Sequence, residues 1–517
     1  MSKQRSSTLF DLIKSLTQSE KRYFKLAEAN EQDKKYLRLF ELIESQKEFN
    51  EERILKNEPT FAPSQFSNIK ANLYSKLLRS LRNFSIYSIA GIEIRELIDE
   101  AQILFNKSLY QQCLQRLKKA AKLAEKTDSL ELQLEILRWK KRVLTQTVDW
   151  ENQSYVEEIV SEVQRVNTKI NNINTFTNLQ AQLQSHYRKT GYLRDKKELY
   201  KIEEITGKLA QISEEDFSIT EKINLYHVYI GYYVFVQDFE SSHLYARKWV
   251  DIFKDNPALI RPKLETYIRG LNYLLIAQNK LLLYGDFQET KKELRALNKL
   301  PPAYYNENIR LKLLKYSFVH EFNSLFQSGD FDRGVALIER LDSGLEGFIN
   351  QLDAHSRVIL FYKTACLYFG NEDYKKTIFW LNKILSSKEV DLREDIHGFA
   401  RILNLISHYE IGNVELIEHY VRATYRYLLK RENLHEFQKQ ILRFLKSLNP
   451  QLSPKEVVDR FSVLRDKMLE LQKNQYEKRA FVYFDMVSWL ESRMGDRSIM
   501  EIIKEKAHKR MVVLSNV

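Results

Sequence analysis

Turn-forming residues are scarce in this chain. Its 517 residues include only 14 glycines and eight prolines, where average usage of roughly 12% would give about 60. Few positions therefore need a left-handed backbone, and few segments are broken by a missing amide. Cysteine is nearly absent as well. Cys113 and Cys366 stand far apart in the sequence, which excludes a disulfide framework and any paired-cysteine metal motif. No run reaches the length of a membrane span. Even Tyr273-Leu274-Leu275-Ile276-Ala277 gives way to Gln278, Asn279 and Lys280. The first residues, Met1 to Ser7, lead into an amphipathic stretch and not an apolar one, so no secretory signal is expected. These absences make a cytoplasmic location the expectation.

Recognisable chemistry is missing too. None of the ten histidines lies three to five residues from another, which removes zincin and zinc-finger spacings. Gly344 and Gly347 are not followed by the Lys-Ser/Thr of a phosphate loop, and no Gly-x-Ser-x-Gly elbow occurs. No catalytic, cofactor-binding or metal-ligating residue is assigned, no cofactor is expected, and the chain reads as non-enzymatic.

What remains is rich in helix formers. Leu, Lys, Glu, Gln, Arg and Ile dominate, and most of these favour helices. With 29 tyrosines and 28 phenylalanines the chain has ample material for a packed core, unlike a disordered one. The formal net charge of +12 comes from 81 basic and 69 acidic residues. That modest excess bears on solubility and association more than on a specific activity.

Residues 1–90 read as an N-terminal helical domain. Leu9, Leu12, Ile13 and Leu16 share a helical face. Thr17 and Glu20 form a capping box, and Asn50 is a good cap for a short helix. The turn Asn30-Glu31-Gln32-Asp33 separates the second and third helices. After Pro59 and Pro63 a long basic helix runs to about Tyr87, carrying Lys70, Lys76, Arg79 and Arg82 and no acid. Residues 50–87 are loosely similar to a helix-turn-helix element. This gives an alternative reading as a nucleic-acid-binding regulator, with those four residues on the phosphates.

From 91 to 446 the chain repeats. An aromatic or apolar anchor recurs at Tyr110, Trp150, Tyr192, Phe239, Phe287, Phe331, Tyr374 and Val414, at intervals of 40, 42, 47, 48, 44, 43 and 40 residues. Each is placed in the turn between two helices. Leu325 and Tyr368 exemplify the packing slot six residues before it, Leu117 and Leu381 the slot seven after. Cys113, Ser242, Thr290, Gly334 and Thr377 supply a small residue three after. Two loops, Gly207–Phe217 and Ser386–Asp395, interrupt the array. His186 and His408 fall on packing slots, and both cysteines are expected to be buried and inert.

Gly285-Asp286-Phe287 and Gly329-Asp330-Phe331, with the small residue three positions on and Pro302 at a repeat boundary, resemble the inter-helix turns of tetratricopeptide repeats. The period is longer than that family's 34 residues. The resemblance implies an all-α fold. Antiparallel helix pairs would stack as a right-handed superhelical α-solenoid behind the N-terminal helical cap, because each pair has an apolar face that only its neighbours can bury. Residues 447–517 read as a C-terminal helical cap the length of two degenerate repeats. Ser453 caps one helix of it, and another is expected to carry Phe481, Tyr483, Phe484, Val487 and Trp489.

Such an array implies a scaffold that binds a protein or peptide ligand in its concave groove. Arg422, Arg426 and Tyr427 are the candidate protein-binding residues, since arginine and tyrosine are enriched in binding hot spots.

Overall fold

The computed structural model describes residues 2–29, 34–85, 89–147, 153–207, 212–301, 306–341, 343–387, 392–431, 434–448, 452–474 and 476–515. Among them every regular element is helical, so the all-α expectation holds. Trp150, Pro302, Tyr87, Asn449-Pro450-Gln451 and the turn Asn30–Asp33 lie outside the described residues.

The chain forms two compact units, Met1–Asn171 and Asn172–Val517. The first contains α1 (Ser2–Ser15), α2 (Gln18–Ala29), α3 (Lys35–Ser45), α4 (Glu51–Asn57), α5 (Pro63–Ser85), α6 (Ala90–Asn106), α7 (Tyr110–Lys126), α8 (Leu130–Leu144) and the start of α9 (Gln153–Thr190). Helices α1 to α5 close around Leu9, Ile13, Phe24, Phe40, Phe66 and Leu73. The expected caps form. Glu20 accepts from the Thr17 amide at 2.7 Å, and Asn50 accepts from the Arg53 amide at 2.9 Å. Helices α6 to α8 enclose a second core around Ile98, Cys113, Leu117 and Trp139.

The second unit continues with α10 (Lys196–Thr206), α11 (Ile219–Val236), α12 (Phe239–Asp255), α13 (Leu264–Lys280), α14 (Tyr284–Ala296), α15 (Glu307–Ser328) and α16 (Phe331–Leu341). Then come α17 (Ser343–Asn350), α18 (Ala354–Gly370), α19 (Tyr374–Leu385), α20 (Glu394–Glu410), α21 (Val414–Lys430) and α22 (Glu436–Ser447). The last are α23 (Pro454–Leu471), α24 (Met486–Met494) and α25 (Ile499–Ser515). Neighbours pack in pairs, α11 with α12, α13 with α14, α18 with α19 and α20 with α21. First helices of successive pairs also touch: α13 with α15, α15 with α18, α18 with α20 and α20 with α22.

The turns between paired helices share one backbone device. Leu109, Asp238, Leu283, Asp330, Asp373 and Asn413 each donate an amide hydrogen to the carbonyl five residues earlier, at 2.9 to 3.1 Å. This is the long bond of a Schellman motif, which satisfies a helix-end carbonyl that would otherwise lack a partner. The preceding residue is left-handed: Ser108, Gln237, Leu282, Gly329, Glu372 and Gly412. Only two of the six are glycine, and the others sit in a conformation that costs an L-residue about 1–2 kcal/mol. Asp238 and Asp373 also cap the following helix by accepting from the Ser241 and Lys376 amides.

The anchors at Tyr110, Phe239, Phe331, Tyr374 and Val414 begin second helices. The small-residue slot is buried at Cys113, Ser242, Thr290, Gly334 and Thr377. A Cβ on Gly334 would come within 2.9 Å of Leu367, so this slot sets the approach of the two helices.

Three expectations change. Gly285-Asp286-Phe287 is not the turn of its pair. Leu282 takes the left-handed position, α14 starts at Tyr284, and Phe287 keeps its buried slot one helical turn further in. The anchor at Tyr192 does not mark an ordinary pair, because the helix before it, Gln153–Thr190, is a single long one. It contains neither glycine nor proline to break it, and the left-handed residue comes only at Gly191. Finally, Phe481, Tyr483 and Phe484 are not on a helix with Trp489. Lys478–Val482 is a short 3-10 turn, and Asp485 starts α24 afresh by accepting from the Ser488 amide at 3.0 Å.

Candidate functional site

The first helices of the second unit present a layer of polar and aromatic side chains. On α13 the residues Glu265, Arg269, Tyr273 and Lys280 are only partly covered, while Leu264, Ile268, Leu271 and Leu275 point into the core. A helix with one apolar face and one mixed face has this pattern.

Hydrogen bonds stitch the layer together. Lys363 of α18 donates to Asn323 Oδ1 of α15 at 2.6 Å. The Asn323 amide lies 3.4 Å from His320 Nδ1, and His320 Nε2 lies 3.0 Å from Asn272 Oδ1 of α13. Further along, His227 Nε2 of α11 sits 2.8 Å from the Tyr273 hydroxyl and 3.0 Å from the Gln180 amide of α9. Burial pushes both His227 and His320 down to about 3. The rings are therefore neutral, as a network with one acceptor nitrogen per ring requires.

A deeper cluster lies where the α19–α20 loop meets the C-terminal segment. Arg393 and Asp395, 3% and 2% exposed, form a bidentate pair with Nε–Oδ1 at 2.9 Å and Nη2–Oδ2 at 2.8 Å. The Tyr483 hydroxyl also donates to Asp395. The Arg393 amide reaches the Arg188 carbonyl at 2.8 Å, and its guanidinium covers the Tyr187 ring. Burial pushes the Asp395 carboxyl up, but Arg393 and Tyr483 outweigh it and hold the group below its ordinary value. Gly191 makes room: its φ is +77°, and a Cβ there would fall 1.9 Å from the Asp395 carboxylate.

Residues 476–485 cross this layer. The Tyr483 ring stacks on Phe399 with centroids 4.4 Å apart. Phe484 meets Phe369 at 4.8 Å, and Phe481 meets Phe437 at 5.3 Å. The Val482 carbonyl accepts from Lys280 at 3.4 Å. An irregular segment thus lies across the first helices with side chains in aromatic slots and a main-chain carbonyl engaged.

Lys280 and Lys363 have no carboxylate within 4 Å among the described residues. Burial depresses Lys280 to about 7, and Lys363 adds to the effect. Lys363 falls to about 8, again mainly through burial. Cys366, one turn on, is pushed up to about 12 by burial. It is buried, as expected, and held as the thiol. Sequence reading passed over both lysines. The available signal was a cation without a helical counter-ion: α18 contains Arg357 and Lys363 and no acid.

The residues singled out from sequence lie elsewhere. Arg422 and Arg426 are exposed on α21, with Arg422 bonded to Glu418 at 2.5 Å. Tyr427 turns inward, and the Arg401 guanidinium lies 3.9 Å from its ring centroid. Arg422 and Arg426, four residues apart, share an exposed face of α21, and Tyr427 is partly buried beside it. On α5, Lys70 pairs with Glu51 at 2.5 Å, Lys76 with Glu28 at 3.1 Å and Arg82 with Asp99 at 3.0 Å; Arg79 is exposed. Acids from α2, α4 and α6 thus answer the charge that the helix alone leaves uncompensated.

Among the described residues no group of His, Cys, Asp or Glu is placed to hold a metal ion, and no helix is long and apolar enough to cross a membrane. Comparison of the chain with family models and with curated proteins gives no match.

Proposed function

We propose that the chain is a non-enzymatic scaffold, and that its helix pairs wind as a tetratricopeptide-like right-handed superhelix in the second unit. A protein partner inserts a peptide or helix against the inner face made by the first helices. The supporting observation is the layer on α13, α15 and α18, where Tyr273, Tyr316, Arg269 and Lys315 remain partly uncovered beside a core that is otherwise closed. Aromatic and cationic side chains on rigid helices suit recognition, because they contribute contact area at little ordering cost. The crossing segment 476–485 occupies the part of that face toward α18, α20 and α22. The partner takes the rest of the face, on α11, α13 and α15 and on the turn of α18 that carries Lys363.

A photo-crosslinking residue placed at Tyr316, with a second variant carrying it at Arg422, tests the reading in cell extract. Reproducible capture of the same protein from Tyr316, absent from Arg422, is the expected result. Capture from Arg422 alone, or of nucleic acid from either position, overturns it.

A further inference from the structure

Charges on the first-helix layer do not balance. Those facing it are Arg188 from α9, Glu265, Arg269 and Lys280 from α13, and Lys312 and Lys315 from α15. Asp353 at the N-cap of α18, Lys363 within it, and Arg393 and Asp395 before and at the start of α20 face it too, as does the buried Arg479 of the crossing segment. Each acid already has a partner. Glu265 is held by Lys312 and Arg269. Asp353 accepts from the Ser356 amide at 3.1 Å and its hydroxyl at 2.6 Å, and it faces Lys315. Asp395 is committed to Arg393 and Tyr483. Arg188, Lys280 and Lys363 are left over, and of these the two lysines each hold only a neutral oxygen, from Val482 and Asn323.

Two ammonium groups with no acid near them, Lys363 also lowering Lys280, are costly unless a counter-charge arrives. Both residues are only partly covered. Resting on the binding reading above, we propose that the partner's segment is acidic, and that its carboxylates seat on Lys280 and Lys363. The neighbouring Tyr273 and Tyr316 flank its backbone. The resident carbonyl of Val482 marks where one such oxygen sits, since it already occupies an acceptor position on Lys280.

Fluorescence anisotropy on the full chain tests this with three labelled probes: hexaglutamate, hexaglutamine and a six-nucleotide single-stranded DNA. Hexaglutamate is expected to bind at least tenfold tighter than hexaglutamine and to raise the melting temperature. Lys280→Gln combined with Lys363→Gln should remove that preference, and Lys280→Arg combined with Lys363→Arg should retain it. The neutral double variant should melt no lower than the parent chain, which separates lost binding from lost folding. Equal binding of the two peptides, tighter binding of the DNA, or an unchanged preference in the neutral variant overturns the proposal. Crosslinking at Tyr316 to a partner whose segment is not acidic would leave the scaffold reading intact and refute this one.

Discussion

Cations on α5 and cations on α13 and α18 have opposite surroundings. Lys70, Lys76 and Arg82 meet acids contributed by other helices of the first unit. Lys280 and Lys363 meet only neutral oxygens. An exposed or half-exposed pair adds at most about 1 kcal/mol, whereas an unpaired ammonium in a desolvated setting subtracts from stability. The same residue type thus stabilises mildly in one unit and carries a standing cost in the other. Arg393 is the third case: it is buried more deeply than the lysines but fully answered by Asp395.

The largest effect should come from turning that third case into the second. Asp395→Ala leaves the Arg393 guanidinium buried and alone, and urea denaturation should show a loss of about 3–5 kcal/mol. Next is acid. His227 and His320 have folded values of about 3, below the ordinary value near 6.5. The unfolded chain therefore takes up protons first, and their contribution is intact above pH 6.5 and is lost as pH falls towards 3. Each ring should cost about 1 kcal/mol per pH unit in that window, read as a falling denaturation midpoint between pH 6.5 and 4.

Lys280→Met should act with the opposite sign, raising stability at pH 7 by about 2 kcal/mol. The lysine's folded value of about 7 lies below its unfolded value near 10.5, so the parent chain should gain stability from pH 7 to 10. The variant should show a smaller gain, the remainder coming from Lys363. Lys76→Met on α5 should be the smallest change, a loss of about 0.5–1 kcal/mol. If thermal melts gave Lys76→Met and Lys280→Met the same sign, the contrast between the two regions would fail.

How much of this could be read from the chain depends on range. Helical period and caps are local, and Thr17, Asn50 and Ser453 were legible as caps because their partners lie three residues away. The small slot at Cys113, Ser242 and Thr377 was legible because it repeats. The turn before α14 was misread because glycine was taken as its marker, while Leu282 bears the left-handed strain. The cluster of Arg393, Asp395 and Tyr483 could not be read, since nothing local ties Asp395 to a tyrosine 88 residues later. For the same reason α5 looked like a bare basic helix: Glu28 lies 48 residues from Lys76.

The crossing segment also has a consequence in time. The Val482 carbonyl that meets Lys280 is 202 residues downstream of it. At a synthesis rate of roughly 5–20 residues per second, that separation lasts about 10–40 s. During that interval α13, α15 and α18 can pair through local turns, while Arg393 and Asp395 wait for Tyr483. The part of the face under residues 476–485 is therefore closed late in synthesis, with only α24 and α25 still to follow. Until then the slots at Phe369, Phe399 and Phe437 stand open.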